Sequence, residues 1–412
     1  MIARLKKSKI LRRIWRRLRW IQKDCFLHGI LPSIYRRHAR KPVDENLVIF
    51  VEYRFDTLQD SLKILYEQIR NRYDYTIHVH CLNHDFVPAR VYRSNCRKLV
   101  KDLACASRVF LSDASEAVSC VPLRQETEVT QTWHASGAFK KFGLSTGDHL
   151  FGESTEEQKR YPKYRNLSTV TVSSPEVVWA YEEAMDLQDR PGVVVPIGVI
   201  RTDLFFRPGK IDAAYEKLWH VFPEAKGKKV ILYAPTYRGW ASRAQAPDRL
   251  DLDMFAESLG QDYVLVIKHH PLVKDLPPIE GEKARTFAFD VTRSMSIEEA
   301  LMVSDICISD YSSVVFEYSL FERPMLFFAY DLENYDDWRG FYYSYDEMTP
   351  GPVCRTSEEM VNWILDIEHT FDRERVRAFR EKFMSSCDGH ATQRVLERAF
   401  GREQLEKHRI KK

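Results

Sequence analysis

Short apolar runs alternate with amphipathic stretches along most of the chain. Leu47-Val-Ile-Phe-Val51 is uninterrupted by polar residues, which predicts a strand buried on both faces. A helix follows from Leu58 to Arg70, then a strand from Tyr75 to Leu82, a helix from Val91 to Ala104 and a strand over Arg108–Leu111. Val129–Trp133 and Val170–Val172 read as further strands. After the second of these, Ser174 caps a helix with Pro175 at its first position, running through Met185. Gly198 to Phe206, with the Arg207-Pro-Gly-Lys that follows, breaks the alternation as a hinge would. The pattern then restarts. Lys229–Ala234 and Tyr263–Lys268 are strands, Ser296–Val303 is a helix, Ile306–Ile308 is a strand, Val314–Phe321 is a helix and Met325–Ala329 is a strand. Strands alternating with helices predict parallel, doubly wound sheets.

The chain has 412 residues, too many for one ordinary core, and the hinge divides it naturally. The expected organisation is a basic segment 1–45, a first Rossmann-like domain 46–204, a second 205–390 and a charged C-terminal tail 391–412. In the second domain, polar residues collect at predicted carboxyl ends of strands: Thr236 and Arg238, His270, and Asp310, Ser312 and Ser313. Open α/β sheets bind ligands at that edge. Ser312 and Ser313 stand where a strand passes into a helix, a place that suits a phosphate. Glu317, about one turn on, falls within reach of a sugar hydroxyl. In the first domain, His134 takes the equivalent edge position, in a loop bracketed by Gly137 and Gly143 and carrying Lys140 and Lys141. Two doubly wound domains facing each other across a cleft make the α/β architecture known as GT-B.

The amino end has a different pattern. Leu11, Ile14, Leu18 and Ile21 recur at helical spacing beside Trp15 and Trp20, while Arg12, Arg13, Arg16, Arg17 and Arg19 fill the gaps. No acid precedes Asp24. Such a basic amphipathic helix suits the headgroup layer of an anionic membrane. A basic arm for nucleic acid and a helix packed on the protein's own body are the alternatives. The tryptophans and the apolar stripe favour the membrane, since neither adds to phosphate contacts with a duplex. Arg36, Arg37, Arg40 and Lys41 extend the basic surface.

Composition adds little to this. The formal net charge of +3 excludes a polycation, and no nucleic-acid partner is expected. The 8 cysteines contain no Cys-x-x-Cys pair, which fits reduced thiols in a cytoplasmic protein. No apolar run approaches bilayer-spanning length, and the Arg and Lys residues interrupting the amino end argue against a secretory signal. His78, His80 and His84 raise the question of a metal. Alternation puts His78 and His80 on one strand face, but no nearby acid or Cys completes a ligand set, so no metal is expected there.

Several blocks resemble the CDP-glycerol glycerophosphotransferase family, the primases and polymerases of teichoic acids. They are Gln131-Thr-Trp-His-Ala-Ser-Gly-Ala-Phe-Lys-Lys-Phe-Gly, Ile231-Leu-Tyr-Ala-Pro-Thr-Tyr-Arg, Ile267-Lys-His-His-Pro, and Ser304-Asp-Ile-Cys-Ile-Ser-Asp-Tyr-Ser-Ser. Arg323-Pro-Met-Leu-Phe-Phe-Ala-Tyr-Asp-Leu, Arg339-Gly-Phe-Tyr-Tyr and Pro350-Gly-Pro continue the likeness, which runs from about Asn46 to about Ser386. The resemblance implies a GT-B enzyme that transfers glycerol phosphate, or a related polyol phosphate, from CDP-glycerol or CDP-ribitol to an undecaprenyl-linked saccharide acceptor. It implies work at the cytoplasmic face of the membrane, as a peripheral protein. His134 matches the family's histidine proposed as base, and His270 a second histidine at the donor pyrophosphate. Ser312 and Ser313 match serines near that pyrophosphate, and Asp310 the acid that sets their turn. Thr236, Arg238 and Glu317 complete the expected donor site.

Two departures stand out. Ile200 occupies a hinge position often held by Pro, and Glu52-Tyr-Arg-Phe-Asp lacks an expected small, Gly-containing pattern. No protein-bound cofactor or catalytic metal is expected, and a homo-oligomer is compatible with the sequence. The rival readings are a GT-B glycosyltransferase using a nucleotide sugar and a non-catalytic basic peripheral membrane protein.

Overall fold

The computed structural model describes residues 18, 20–147, 149, 153–239, 243–247, 249–333 and 340–410. Two sheets carry the fold. The first contains β1 (Asp44–Glu52), β2 (Thr76–Cys81), β3 (Ala106–Leu111), β4 (Glu128–Gln131), β5 (Thr169–Thr171) and β6 (Val194–Val195), in the order β2-β1-β3-β4-β5-β6. The second contains β7 (Lys229–Tyr233), β8 (Tyr263–Ile267), β9 (Ala288–Asp290), β10 (Ile306–Ser309), β11 (Met325–Phe328) and β12 (Val353–Cys354), in the order β12-β11-β10-β7-β8-β9. Every pairing is parallel. The two doubly wound domains are those of a GT-B protein. The uninterrupted apolar runs are the central strands. Val48, Ile49 and Phe50 of β1 are fully buried, as are Ile231 and Leu232 of β7 and Ile308 of β10.

Strand order reverses between β1 and β3 in one sheet and between β7 and β10 in the other. At such a switch point the loops diverge and leave a crevice beyond the carboxyl ends. Arg54 and Asp113 flank the first crevice, and Thr236 and Asp310 the second.

Both chain ends differ from expectation. Residues 391–410 are not a free charged tail: helices Ala391–Phe400 and Arg402–Lys407 lie on the first domain. Val395, Leu396, Ala399 and Phe400 form a stripe at helical spacing and pack with Val48, Phe50 and Leu62. The Phe400 ring lies 4.7 Å from Tyr75 and 6.0 Å from Phe110. Asp203, in the hinge turn, accepts from the Ala391 and Thr392 amides at 3.0 and 2.7 Å, fixing where the returning helix starts.

At the amino end, residues 25–38 are helical and belong to the first domain through Phe26, Leu27, Leu31 and Tyr35, all buried. Arg12, Arg13, Trp15, Arg16 and Arg17 lie outside the described residues. Trp20 meets Tyr161 edge-on at 6.2 Å and lies under Arg160. Lys23 pairs with Glu116 at 2.9 Å, and Asp24 with Arg160. The described end of the basic helix is therefore pinned to the body, while Leu18 and Ile21 remain 48% and 56% exposed. Among the described residues, no helix is long and apolar enough to cross a membrane.

Candidate active site

The first-domain half is built on β3 and β4. The Gln131 side chain donates from Nε2 to the Asp113 carbonyl at 3.0 Å and accepts from the Trp133 amide at 3.1 Å. That clamp holds Trp133 at φ 55°, a left-handed conformation that costs energy for a bulky residue. The sharp turn presents His134, whose ring lies 4.4 Å from the Trp133 ring. His134 Nδ1 is 3.1 Å from the Ser112 carbonyl oxygen. A carbonyl can only accept, so Nδ1 carries the proton and Nε2 the lone pair. Burial lowers the imidazole pKa, which keeps the ring neutral, while nearby Asp113 acts the other way. Asp113 is itself held by Arg54. The geometry therefore leaves a neutral imidazole with its basic nitrogen at Nε2.

The second-domain half centres on Asp310. Its Oδ1 accepts from the Thr236 and Tyr311 amides at 2.8 and 2.6 Å, tying the turn after β10 to the turn after β7. Arg238 donates to Asp310 Oδ2 at 2.9 Å and grips both oxygens of Asp331 at 2.7 and 3.0 Å. It also reaches the Thr236 carbonyl, and Tyr311 Oη reaches Asp331 at 2.8 Å. The Arg238 guanidinium, expected at the donor site, is engaged by the Asp310 and Asp331 carboxylates, which fix it against the turn. Thr236 Oγ1 is buried beside this turn with no hydrogen-bond partner among the described residues. Ser312 and Ser313 are partly buried, and Ser313 stands at the start of helix Val314–Ser319 without a side-chain cap bond.

His269 and His270, which follow β8, face different surroundings. His270 is exposed, with its ring 4.9 Å from Tyr237. Its Nδ1 accepts from the Leu272 amide at 3.2 Å, which puts the proton of the neutral ring on Nε2. His270 is thus tautomerically opposite to His134 and presents a donor. His269 is buried, with Nε2 3.8 Å from Asp290. Burial lowers its pKa.

The two halves meet at Glu317. Ser136, two residues after His134, donates to Glu317 Oε1 at 2.8 Å. Arg201 of the hinge donates to the same oxygen at 2.7 Å. Glu317 is 1% exposed, so the expected ribose contact is overturned: the carboxylate is sealed inside the junction. Burial raises its pKa, and Arg201 and Ser136 oppose that shift. Gly137 follows at φ 63°, and a Cβ there would sit 2.4 Å from the Phe316 ring. The loop then bridges to the second domain at Lys140–Phe341, and the Tyr342 amide donates to the Phe139 carbonyl at 3.2 Å.

With this geometry in hand, the comparisons are consistent. The family described as CDP-glycerol:poly(glycerophosphate) glycerophosphotransferase matches residues 33–401. The chain belongs to this family. Among glycerophosphotransferase relatives, the teichoic acid ribitol-phosphate primase of Bacillus spizizenii is 32% identical over 90% of this chain and 95% of its own. The teichoic acid glycerol-phosphate primase of Bacillus subtilis is 30% identical over 70% of this chain and 72% of its own. The solved structure of the wall teichoic acid polymerase TagF shares the fold, with TM-score 0.73 and 24% identity, over 97% of this chain and 99% of that one. The glycerophosphotransferase family's members transfer a polyol phosphate from a CDP-alcohol, and this chain is such a transferase.

Sequence reasoning missed Arg201, Ser136 and Asp331 in this glycerophosphotransferase site. Ser136 and Asp331 stood inside the quoted family blocks without an assigned role, and Arg201 is the one cation within the hinge turn Ile200–Phe206.

Proposed function

We propose that the protein transfers glycerol phosphate or ribitol phosphate from the CDP-polyol to a hydroxyl of an undecaprenyl-linked saccharide. The acceptor oxygen attacks the phosphorus that bears the polyol. The bond from that phosphorus to the bridging oxygen breaks, and CMP leaves with the electron pair. The acceptor's proton passes to His134 Nε2, a contribution typically worth about a hundred- to ten-thousand-fold in rate. His270 Nε2–H and the Ser312–Ser313 turn stabilise charge on the departing phosphate. The observation that supports this reading best is the Ser136–Glu317 bond, which brings the His134 loop against the helix that follows Ser312 and Ser313.

The reading includes a place of work. The basic amphipathic amino end, with Trp20 docked and Leu18 and Ile21 exposed, supports peripheral attachment to an anionic membrane surface at its cytoplasmic face, where a lipid-linked acceptor is available. CMP release measured with CDP-glycerol and with CDP-ribitol tests the chemistry. His134→Ala is expected to abolish most turnover while the folded protein still binds donor. Parent-like turnover would remove His134 from the mechanism.

A further inference from the structure

The edge strand β2 carries His78 and His80 on one face, paired in register with Ile49 and Val51 of β1. The third partner comes from elsewhere in the chain. Helix Ala89–Leu103 returns along the sheet and brings Asp102 against both rings. His78 Nδ1 is 2.9 Å and His80 Nε2 is 3.0 Å from the same oxygen, Asp102 Oδ2. The three donor atoms lie within 4.8 Å of one another, the one such grouping of His, Cys, Asp or Glu among the described residues. His84 is not part of it, being hydrogen-bonded to Asp85 and stacked on Tyr53.

We propose that His78, His80 and Asp102 form a site for a borderline first-row divalent cation, of which Zn²⁺ is the biological representative. Tetrahedral zinc with bonds of about 2.0–2.1 Å needs ligand atoms about 3.3 Å apart, so the two His–Asp spacings of 2.9 and 3.0 Å require only a few tenths of an ångström of opening. Two imidazoles and one carboxylate suit such an ion, whereas Mg²⁺ and Ca²⁺ prefer all-oxygen shells. His78 is 46% and Asp102 35% exposed, so water can complete the shell. His80 is 13% exposed. Lys98, on the same helix, is the opposing charge nearby. The ion would staple the exposed edge strand to the helix that covers it. This role is independent of phosphotransfer, since β2 lies outside the switch-point crevice.

The test uses the full chain, freed of metal by chelator. Co²⁺ titration followed by its visible absorption, and Zn²⁺ competition against it, should give one ion per chain in the parent. Zn²⁺ should also raise the parent's melting temperature. His80→Gln and Asp102→Asn should each weaken binding at least tenfold and cancel the thermal shift, with circular dichroism and CMP release unchanged. Absence of stoichiometric binding in the parent overturns the proposal. So does binding that all the variants retain, because the ion would then sit on other histidines.

Discussion

Arg201 and Glu317 meet inside the domain junction, where Arg201 Nε donates to Glu317 Oε1 at 2.7 Å and both side chains are buried. The pair anchors the hinge turn to the helix beyond Ser313. Ser136 joins it from the His134 loop. Three segments, the hinge turn, the His134 loop and the helix beyond Ser313, therefore converge on one carboxylate oxygen.

Removing that carboxylate leaves Arg201 buried with Asp60, at 3.7 Å, as its remaining ion-pair partner among the described residues. Glu317→Ala should lower the unfolding free energy by about 3–5 kcal/mol in a urea titration, with Glu317→Gln less damaging. A Glu317 that served the ribose would instead raise KM for the CDP-polyol and leave the urea midpoint in place.

The two adjacent histidines should separate by readout. His270→Ala should weaken donor binding or slow transfer by about 1–3 kcal/mol, through loss of a hydrogen bond to a charged group, without changing Tm. His269→Ala should lower Tm and leave donor affinity of the folded protein intact. The reverse pattern would show that the assignment is one residue out of register. Burial lowers the folded pKa of both His134 and His269 below the ordinary 6.5. The unfolded state therefore takes up protons first, and stability falls as pH drops below 6.5.

The same shift shapes the rate profile. If the neutral His134 is the base, it acts down to pH values below 6.5, so the acid limb of kcat/KM should lie there. Asp113→Asn removes the neighbour that opposes the shift and should move the limb lower still. An unchanged limb in that variant, with activity retained, would mean the profile belongs to another group.

The central strands of both sheets were legible in the sequence because strands buried on both faces declare themselves by composition alone, whereas the short edge strands β6, β9 and β12 gave no such run. The positions of His134, His270, Ser312 and Ser313 at strand ends followed from the same pattern. The junction was not legible. Glu317 meets Arg201 across 116 residues and Ser136 across 181, and local periodicity holds no information at that range. Its helical position suggested a reach towards ligand, but burial decides which way a carboxylate is used. Asp102 was missed for the same reason, lying 22 residues from His80. The charged residues of the last helices hid an apolar stripe that the first sheet needs.

The amino end should contribute location rather than chemistry. Deleting residues 1–17 leaves Trp20, Lys23 and Asp24 docked on Tyr161, Glu116 and Arg160. Each lost Lys or Arg removes about 1 kcal/mol of attraction to an anionic leaflet, an effect screened by salt. The truncated protein should fail to float with anionic vesicles and should transfer slowly to a membrane-embedded acceptor, yet keep its rate on a soluble short-chain acceptor. Flotation equal to the parent's would move the contact to Arg36, Arg37, Arg40 and Lys41.

The most direct measurement is the product mass after incubation with CDP-glycerol or CDP-ribitol and a lipid-linked disaccharide. The account predicts an acceptor heavier by polyol phosphate units, equimolar CMP, and loss of both in His134→Ala. No mass gain with either donor, together with UDP release from a nucleotide sugar in the same assay, would contradict it.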